Sequence, residues 1–230
     1  MSDGPDDGRV QRRGRFGSRW VPGGRLVGHG PAVPDVSDDA PTVGVLGLQG
    51  DVLEHLHALQ RSGARPVLVR TRQDLDTVDG LVIPGGESTT IGKLLQRFGL
   101  LDPLRDRLGA GMPAFGTCAG LILLSDRLDQ DRPQVTLGGL DVTTRRNAFG
   151  RQVDSFEVDL DVTGVAGGPM RAVFIRAPFV VEHGAAVEVL AAVDHHPVVV
   201  RQGSILGASF HPELTGDNRL HRVFVGIVAG

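Results

Sequence analysis

The single cysteine of the chain, Cys118, stands in Phe115-Gly116-Thr117-Cys118-Ala119-Gly120, directly ahead of the apolar run Leu121-Ile122-Leu123-Leu124. This G-x-C-x-G pattern is the thiol form of a nucleophile elbow. Small residues on both sides permit a tight, strained turn between a strand and a helix, and the turn presents a reactive side chain above a sheet. A free thiol with a pKa near 8.5 is only about 3% thiolate at neutral pH, whereas a helix N-terminus and a neighbouring imidazolium bring that pKa to roughly 3.5–7.5. A lone cysteine is otherwise usually a small buried hydrophobe. The glycine framing turns the reading toward a nucleophile.

A base for that nucleophile is offered by His211-Pro212-Glu213, which follows the apolar stretch 204–210. Proline steers the residue before it away from helix and fixes its own φ, so the tripeptide is expected to be extended, with residues i and i+2 on one side. Glu213 then holds the His211 imidazole in one tautomer while the other ring nitrogen faces the thiol. A third group, Pro84-Gly85-Gly86-Glu87-Ser88-Thr89, follows another apolar run. Its glycines let backbone N–H groups approach a ligand, and Ser88 is expected to cap the next helix. The donors of Gly86 and Ala119 suit an oxyanion hole.

Other polar groups have plainer readings. His195-His196 lacks a third ligand at metal-site spacing, so no metal is expected. His55 and His57 are assigned to a helix surface. Arg145-Arg146-Asn147 fits an anion contact and a solvated pair equally well.

These groups need elements to hold them. Residues 42–48 (TVGVLGL) read as a buried strand. Asp51 then caps a helix with Glu54 at the reciprocal capping-box position, Leu53, Leu56 and Leu59 form its apolar stripe, and Gly63 stops it. Strands are expected at 66–70, 80–83 and 113–116, with helices near 90–98 and 101–108. The second half is richer in strands, at 152–160, 173–176, 187–193, 198–201 and 204–210, and a helix closes the chain over 218–228. Strand–helix alternation at this spacing predicts an α/β fold, an open, doubly wound, mostly parallel sheet with extra strands in the second half. The three chemical groups would sit at carboxyl ends of its strands, where such sheets bind ligands.

The bulk numbers set outer bounds. The chain has 230 residues, 40% hydrophobic and 22% charged, which fits one medium α/β domain. A formal net charge of −3 gives no electrostatic case for nucleic acid or a membrane surface. No apolar run approaches the roughly 20 residues of a bilayer span. One cysteine excludes an intrachain disulfide and suits a reducing cytoplasm. Residues 1–40, with eight Gly, four Pro, six Arg and six Asp, are expected to be a disordered N-terminal extension, and 41–230 a single catalytic domain. The extension carries no apolar h-region, and its acidic residues argue against a transit peptide.

Taken in order, GVLGLQGDVLEH (44–55), PGGESTTIGKLL (84–95), FGTCAGLILL (115–124), RRNAFGRQVDSFE (145–157), VFIRAP (173–178) and SFHPELTGD (209–217) resemble the glutaminase subunits of pyridoxal 5′-phosphate synthase, a branch of the class I glutamine amidotransferases. The PGGEST and FGTCAG motifs are common to class I enzymes, and the stretches at 145–157 and 173–178 are specific to the vitamin B6 branch. The resemblance implies a flavodoxin-like sheet and a Cys118–His211–Glu213 triad. It implies glutamine contacts at Gly86, Glu87, Ser88, Arg146, Ile175 and Arg176. It also implies hydrolysis of L-glutamine to glutamate without a cofactor, with ammonia passed to a TIM-barrel synthase subunit that makes pyridoxal 5′-phosphate. A glutaminase serving another pathway, a non-catalytic partner-binding subunit and a cysteine peptidase are the competing readings. The intact Cys, His and Glu set speaks against the second.

Overall fold

A computed structural model describes residues 37, 39–130, 133–146 and 155–230. The expected extension over 1–40 therefore lies outside the described residues except at 37, 39 and 40, as do residues 152–154 of one expected strand and Asn147.

The amino-terminal half alternates strand and helix: β1 (Thr42–Leu46), α1 (Val52–Arg61), β2 (Arg65–Val69), α2 (Arg72–Asp76), β3 (Gly80–Ile83), α3 (Ser88–Arg97), α4 (Leu101–Gly109), β4 (Ala114–Thr117) and α5 (Ala119–Leu124). Strands dominate thereafter: β5 (Ser125–Leu128), β6 (Leu140–Arg145), β7 (Ser155–Leu160), β8 (Met170–Ile175), β9 (Phe179–His183), β10 (Glu188–Val193), β11 (His196–Gln202) and β12 (Ile205–Ala208). A 3-10 turn at Pro212–Leu214 and helix α6 (Arg219–Ala229) follow.

The central sheet has seven strands in the order β10-β11-β12-β4-β3-β1-β2. The run β12-β4-β3-β1-β2 is parallel, and β11 and β10 continue it antiparallel. Alternation along each inner strand explains why the sheet is doubly wound. In β3, Leu81 and Ile83 enter one core and Val82 the other; in β4, Ala114 and Phe115 divide the same way. Helices α3, α4 and α5 cover the first face with Ile91, Leu95, Leu104 and Leu121. On the second face, α1 and α6 contribute Leu59, Leu220 and Phe224. Strands buried on both faces read as continuous apolar runs, which is why 42–46 and 80–83 were legible as strands. A three-stranded sheet β5-β6-β9 and the hairpin-like pair β7-β8 supply the extra strands of the second half. Among the described residues no helix is long and apolar enough to cross a membrane.

Three local expectations need correction. Leu53 is 64% exposed: at 100° per residue it lies about 120° around the helix from Leu59, so the buried stripe is His55, Ala58 and Leu59. His55 is accordingly a core residue, with no exposed surface, and not part of the helix surface. Asp51 occupies the N-cap position of α1 without a side-chain cap bond, because its carboxylate turns toward His211, Oδ2 lying 3.5 Å from Nδ1.

Candidate active site

Strand β4 and helix α5 meet at Cys118, whose φ of 48° and ψ of −102° place it in a backbone region L-residues rarely occupy. Such strain costs on the order of 1–3 kcal/mol and persists only where packing over-determines it. The packing here is glycine against backbone. A Cβ on Gly116 would lie 2.5 Å from the Gly120 carbonyl carbon, and one on Gly120 would press into the Ile83 backbone. The G-x-C-x-G spacing is therefore a steric requirement of the turn. The Cys118 N–H donates to Ala208 O at 2.8 Å, which ties the elbow to β12.

Because β12 pairs in parallel with β4, Ala208 opposite Thr117, the chain leaving β12 delivers His211 beside Cys118. The His211 N–H donates to Val173 O at 2.9 Å, and His211 Nδ1 bonds Glu213 Oε1 at 2.8 Å. The tripeptide is not extended as expected. His211 keeps the pre-proline preference (φ −108°, ψ 84°), but Pro212 opens a 3-10 turn, closed by Leu214 N–H to His211 O. Proline tolerates this first helical position because its missing N–H would be unpaired there anyway. The turn brings His and Glu together by curling, where an extended chain would have used alternation.

Gly85 and Gly86 follow β3. A Cβ on Gly85 would reach into the His211 ring, 3.0 Å from Nδ1, so glycine lets the loop pass over the imidazole. Gly86 has a φ of 142°. Glu87, and not Ser88 as expected, caps α3: its carboxylate accepts from the backbone N–H and hydroxyl of both Thr89 and Thr90. A carboxylate outperforms a hydroxyl here because it has two oxygens, one for each threonine. Buried Ser88 instead donates to Gln134. Arg146 donates to Glu87 Oε1 at 2.8 Å and to Thr89 and Gln134 at 3.2 Å. Arg145 turns away to Asp129.

Between these loops lies a cleft of about 380 Å³, within the range of small-molecule sites. Gly86, Glu87, Ser88, Arg146, Ile175 and Arg176 line it together with Cys118 and His211. Every expected side-chain contact is thus brought to one place, with Ala119 joining through the first turn of α5. Gln49, Gly50 and Ile122 also line the cleft, beyond the residues expected there, as does Asp51, expected only as a helix cap. Gln49 accepts the Glu87 N–H at 2.9 Å. Its signal was its place one turn after β1, a fourth strand end on the same side of the sheet. Asp51, His211 and Glu213 present ligand atoms within 4.8 Å of one another, but the His211–Glu213 hydrogen bond already occupies that geometry. His195 and His196 take part in no such cluster among the described residues, and His196 stacks on Phe179.

The electrostatics follow burial and pairing. Burial would lower the His211 pKa, but Cys118 and Glu213 as hydrogen-bonding partners push it up to about 10. Burial would raise Glu213, yet bonds from His211 and His55 hold it well below the usual carboxylate range. Glu87 is likewise held down to about 2: burial opposes this, and Thr89, Thr90 and Arg146 outweigh it. Asp51 is raised, by burial and by the neighbouring Glu213 charge. His211 thus stands between a sulfur and a carboxylate, both of which favour its charged form.

An open parallel sheet carrying a cysteine elbow, with a histidine and an acid after the neighbouring strand, is the architecture of a glutamine amidotransferase. A crystal structure of a glutamine amidotransferase superposes with a TM-score of 0.77 at 50% identity, covering 82% of this chain and 99% of that one. The chain belongs to the SNO glutamine amidotransferase family, whose model matches residues 45–229. It is 61% identical over 203 residues to pyridoxal 5′-phosphate synthase subunit PdxT of Nocardia farcinica, covering 86% of this chain and 90% of the relative. It is 64% identical over 189 residues to the PdxT subunit of Frankia alni, covering 82% and 95%.

Proposed function

We propose that this protein is the glutaminase subunit of a pyridoxal 5′-phosphate synthase. In this reading it hydrolyses L-glutamine to L-glutamate and hands the ammonia to a TIM-barrel synthase subunit in the cytoplasm. The observation that carries the chemistry is the strained Cys118 facing His211, whose far nitrogen is fixed by Glu213 at 2.8 Å. The pathway rests on the relatives, which are synthase subunits by name and match over at least 82% of this chain.

The steps follow from the groups present. Glutamine enters the cleft with its amide over Cys118, its amino-acid end held among Glu87, Arg146, Ile175 and Arg176. The thiolate adds to the amide carbon, and the N–H groups of Gly86 and Ala119 stabilise the oxyanion. His211 gives its proton to the leaving nitrogen, ammonia departs and a thioester remains. His211, now neutral, takes a proton from water; the hydroxide cleaves the thioester to glutamate and regenerates the thiolate–imidazolium pair. Glu213 stays ionised and holds the ring in place. Ammonia must remain unprotonated to act downstream, which favours direct transfer over release into water. The reaction draws on no metal or organic cofactor.

The test is Cys118→Ala in the presence of a pyridoxal 5′-phosphate synthase subunit, with product measured on glutamine and on ammonium. The variant removes one sulfur at a small-residue turn and leaves the fold intact. Glutamine-dependent synthesis should fall by several orders of magnitude and ammonium should restore it. Retained glutamine use would exclude Cys118 as the nucleophile. A wild type that never supports the synthase with glutamine would overturn the pathway assignment.

A further inference from the structure

Beneath the proposed triad lies a second layer of buried polar residues that the chemistry above does not use. His55 of α1 and His221 of α6 have no exposed surface, and their rings bond through His55 Nδ1 and His221 Nε2 at 2.9 Å. On its other side, His55 Nε2 faces two oxygens, Thr117 Oγ1 at 3.2 Å and Glu213 Oε2 at 3.5 Å. Thr117 immediately precedes the nucleophile, and its hydroxyl oxygen also accepts the Gly85 N–H at 3.1 Å.

Proton bookkeeping fixes the arrangement. Glu213 spends Oε1 on His211, and Oε2 is buried with no hydrogen-bond partner among the described residues, His55 Nε2 standing 3.5 Å away in ion-pair range. An ionised carboxylate cannot donate, so His55 Nε2 must carry a proton for its contact to be favourable. That N–H then bonds Thr117 Oγ1 at 3.2 Å and holds Glu213 Oε2 at 3.5 Å by electrostatic attraction, a separation beyond the hydrogen-bond range. His55 Nδ1 is left as an acceptor and takes the proton of His221 Nε2. The remaining atom, His221 Nδ1, is buried without a partner. As a bare lone pair it costs less than an orphaned N–H would, and this fits a chain whose direction is set by the Glu213 carboxylate, which needs a donor and not a second lone pair facing it. His221 is kept neutral, its pKa pushed down to about 3 by burial and then by His55. Phe115 packs its ring edge-on to His221, closing the layer from beyond.

We infer that His55, buttressed by His221, is a positioning residue for the reaction: its Nε2–H anchors the second oxygen of Glu213 and, through Thr117, the turns that carry Cys118 and Gly85. This rests on the Cys118–His211–Glu213 reading and extends it to a five-residue chain drawn from four elements. Without His55 the buried Glu213 carboxylate keeps one donor and is free to rotate away from His211. The layer does not line the cleft, so it acts on turnover and leaves glutamine binding alone.

Two conservative variants separate this role from mere packing, assayed as glutaminase with the synthase partner present. In H55Q the amide nitrogen reaches the place of Nε2 and keeps a donor toward Glu213. In H55N the amide ends near Nδ1, so the contact with His221 survives and that with Glu213 is lost. H55N should lower kcat by about 10- to 100-fold, the worth of one hydrogen bond to a charged group, with KM for glutamine within about twofold. H55Q should stay within about threefold of wild type. A wild-type kcat in folded H55N, or an equal fall in both variants, overturns the inference. Should neither variant fold, the wild-type protein still decides: 15N shifts of its labelled histidines must show His55 Nε2 protonated, and a bare Nε2 refutes the proposal. Glu213→Gln run in parallel separates the two readings, because full activity there removes the triad itself, whereas full activity in H55N alone removes only this anchor.

Discussion

Gly116→Ala tests whether the elbow is held by backbone contact. The added Cβ would meet the Gly120 carbonyl carbon at 2.5 Å, its oxygen at 2.6 Å and the Leu121 nitrogen at 2.8 Å, all backbone atoms that cannot swing aside. Ordinary contact for a Cβ begins at 3.4 Å, so the first turn of α5 must retreat by about 0.9 Å or β4 must bend by as much. Overpacking of this kind costs about 1–3 kcal/mol, which for a domain of this size lowers Tm by about 2–12 °C. The same retreat carries Cys118 and the Ala119 N–H with it. A misplacement near 1 Å is worth on the order of 100-fold in rate. The assays are a thermal melt followed by circular dichroism and partner-dependent glutamate release at saturating glutamine. The variant should melt lower and lose about two orders of magnitude in kcat at temperatures where it is folded. A variant with wild-type Tm and kcat would refute the reasoning, since the elbow would then tolerate a separation the structure does not allow.

Gly226→Ala makes the opposite point: Gly226 is an exposed position of α6 with nothing near its absent Cβ, so helix propensity should raise stability by about 0.5–1 kcal/mol, seen as a higher midpoint in urea. Arg146→Ala should raise KM for glutamine by about 10-fold or more while kcat changes less, because a hydrogen-bonding cation is removed from the cleft and not from the reacting atoms. Stability should also report the buried pair. His211 is raised from about 6.5 to about 10, so its contribution is complete below pH 6.5 and drains away as pH climbs toward 10. Glu213 is depressed, so its contribution is present above about pH 4.5 and is lost on acidification. In Glu213→Gln, denaturant titrations across both windows should give a flatter profile than wild type; an unchanged profile would mean that the pair does not couple to folding.

The parallel strands and the three strand-end groups were legible because burial on two faces writes itself as unbroken apolar runs, and because an elbow needs glycine where nothing larger fits. The strands β5, β6 and β9 were not, since SDRL and LDVTTR carry polar residues on their open face and resemble loops. The capping of α3 was misread because Glu87 answers four donors from two threonines, an arrangement that only the folded turn assembles. The surface assignment of His55 was the largest error. A histidine among helical polar residues gives no local sign of burial, and its partners lie 62 and 166 positions away in the chain. Contacts of that range are set by which helices the sheet brings face to face, not by any local pattern.

The pairing of β12 with β4 also orders events in time. His211 is added 93 positions after Cys118, an interval of about 5 to 19 s at ordinary rates of synthesis. During it the nascent chain holds a sulfur with no imidazole beside it and a sheet whose β4 edge is still open. With Cys118 and His211 acting as proposed, an unfinished polypeptide cannot consume glutamine, and competence arrives only when the last strand pairs into the middle of the sheet. The same interval leaves the apolar edge of β4 unpaired and ready to join another chain. Ribosomal pausing between the two sites would be expected to show as aggregated protein before it shows as slow enzyme.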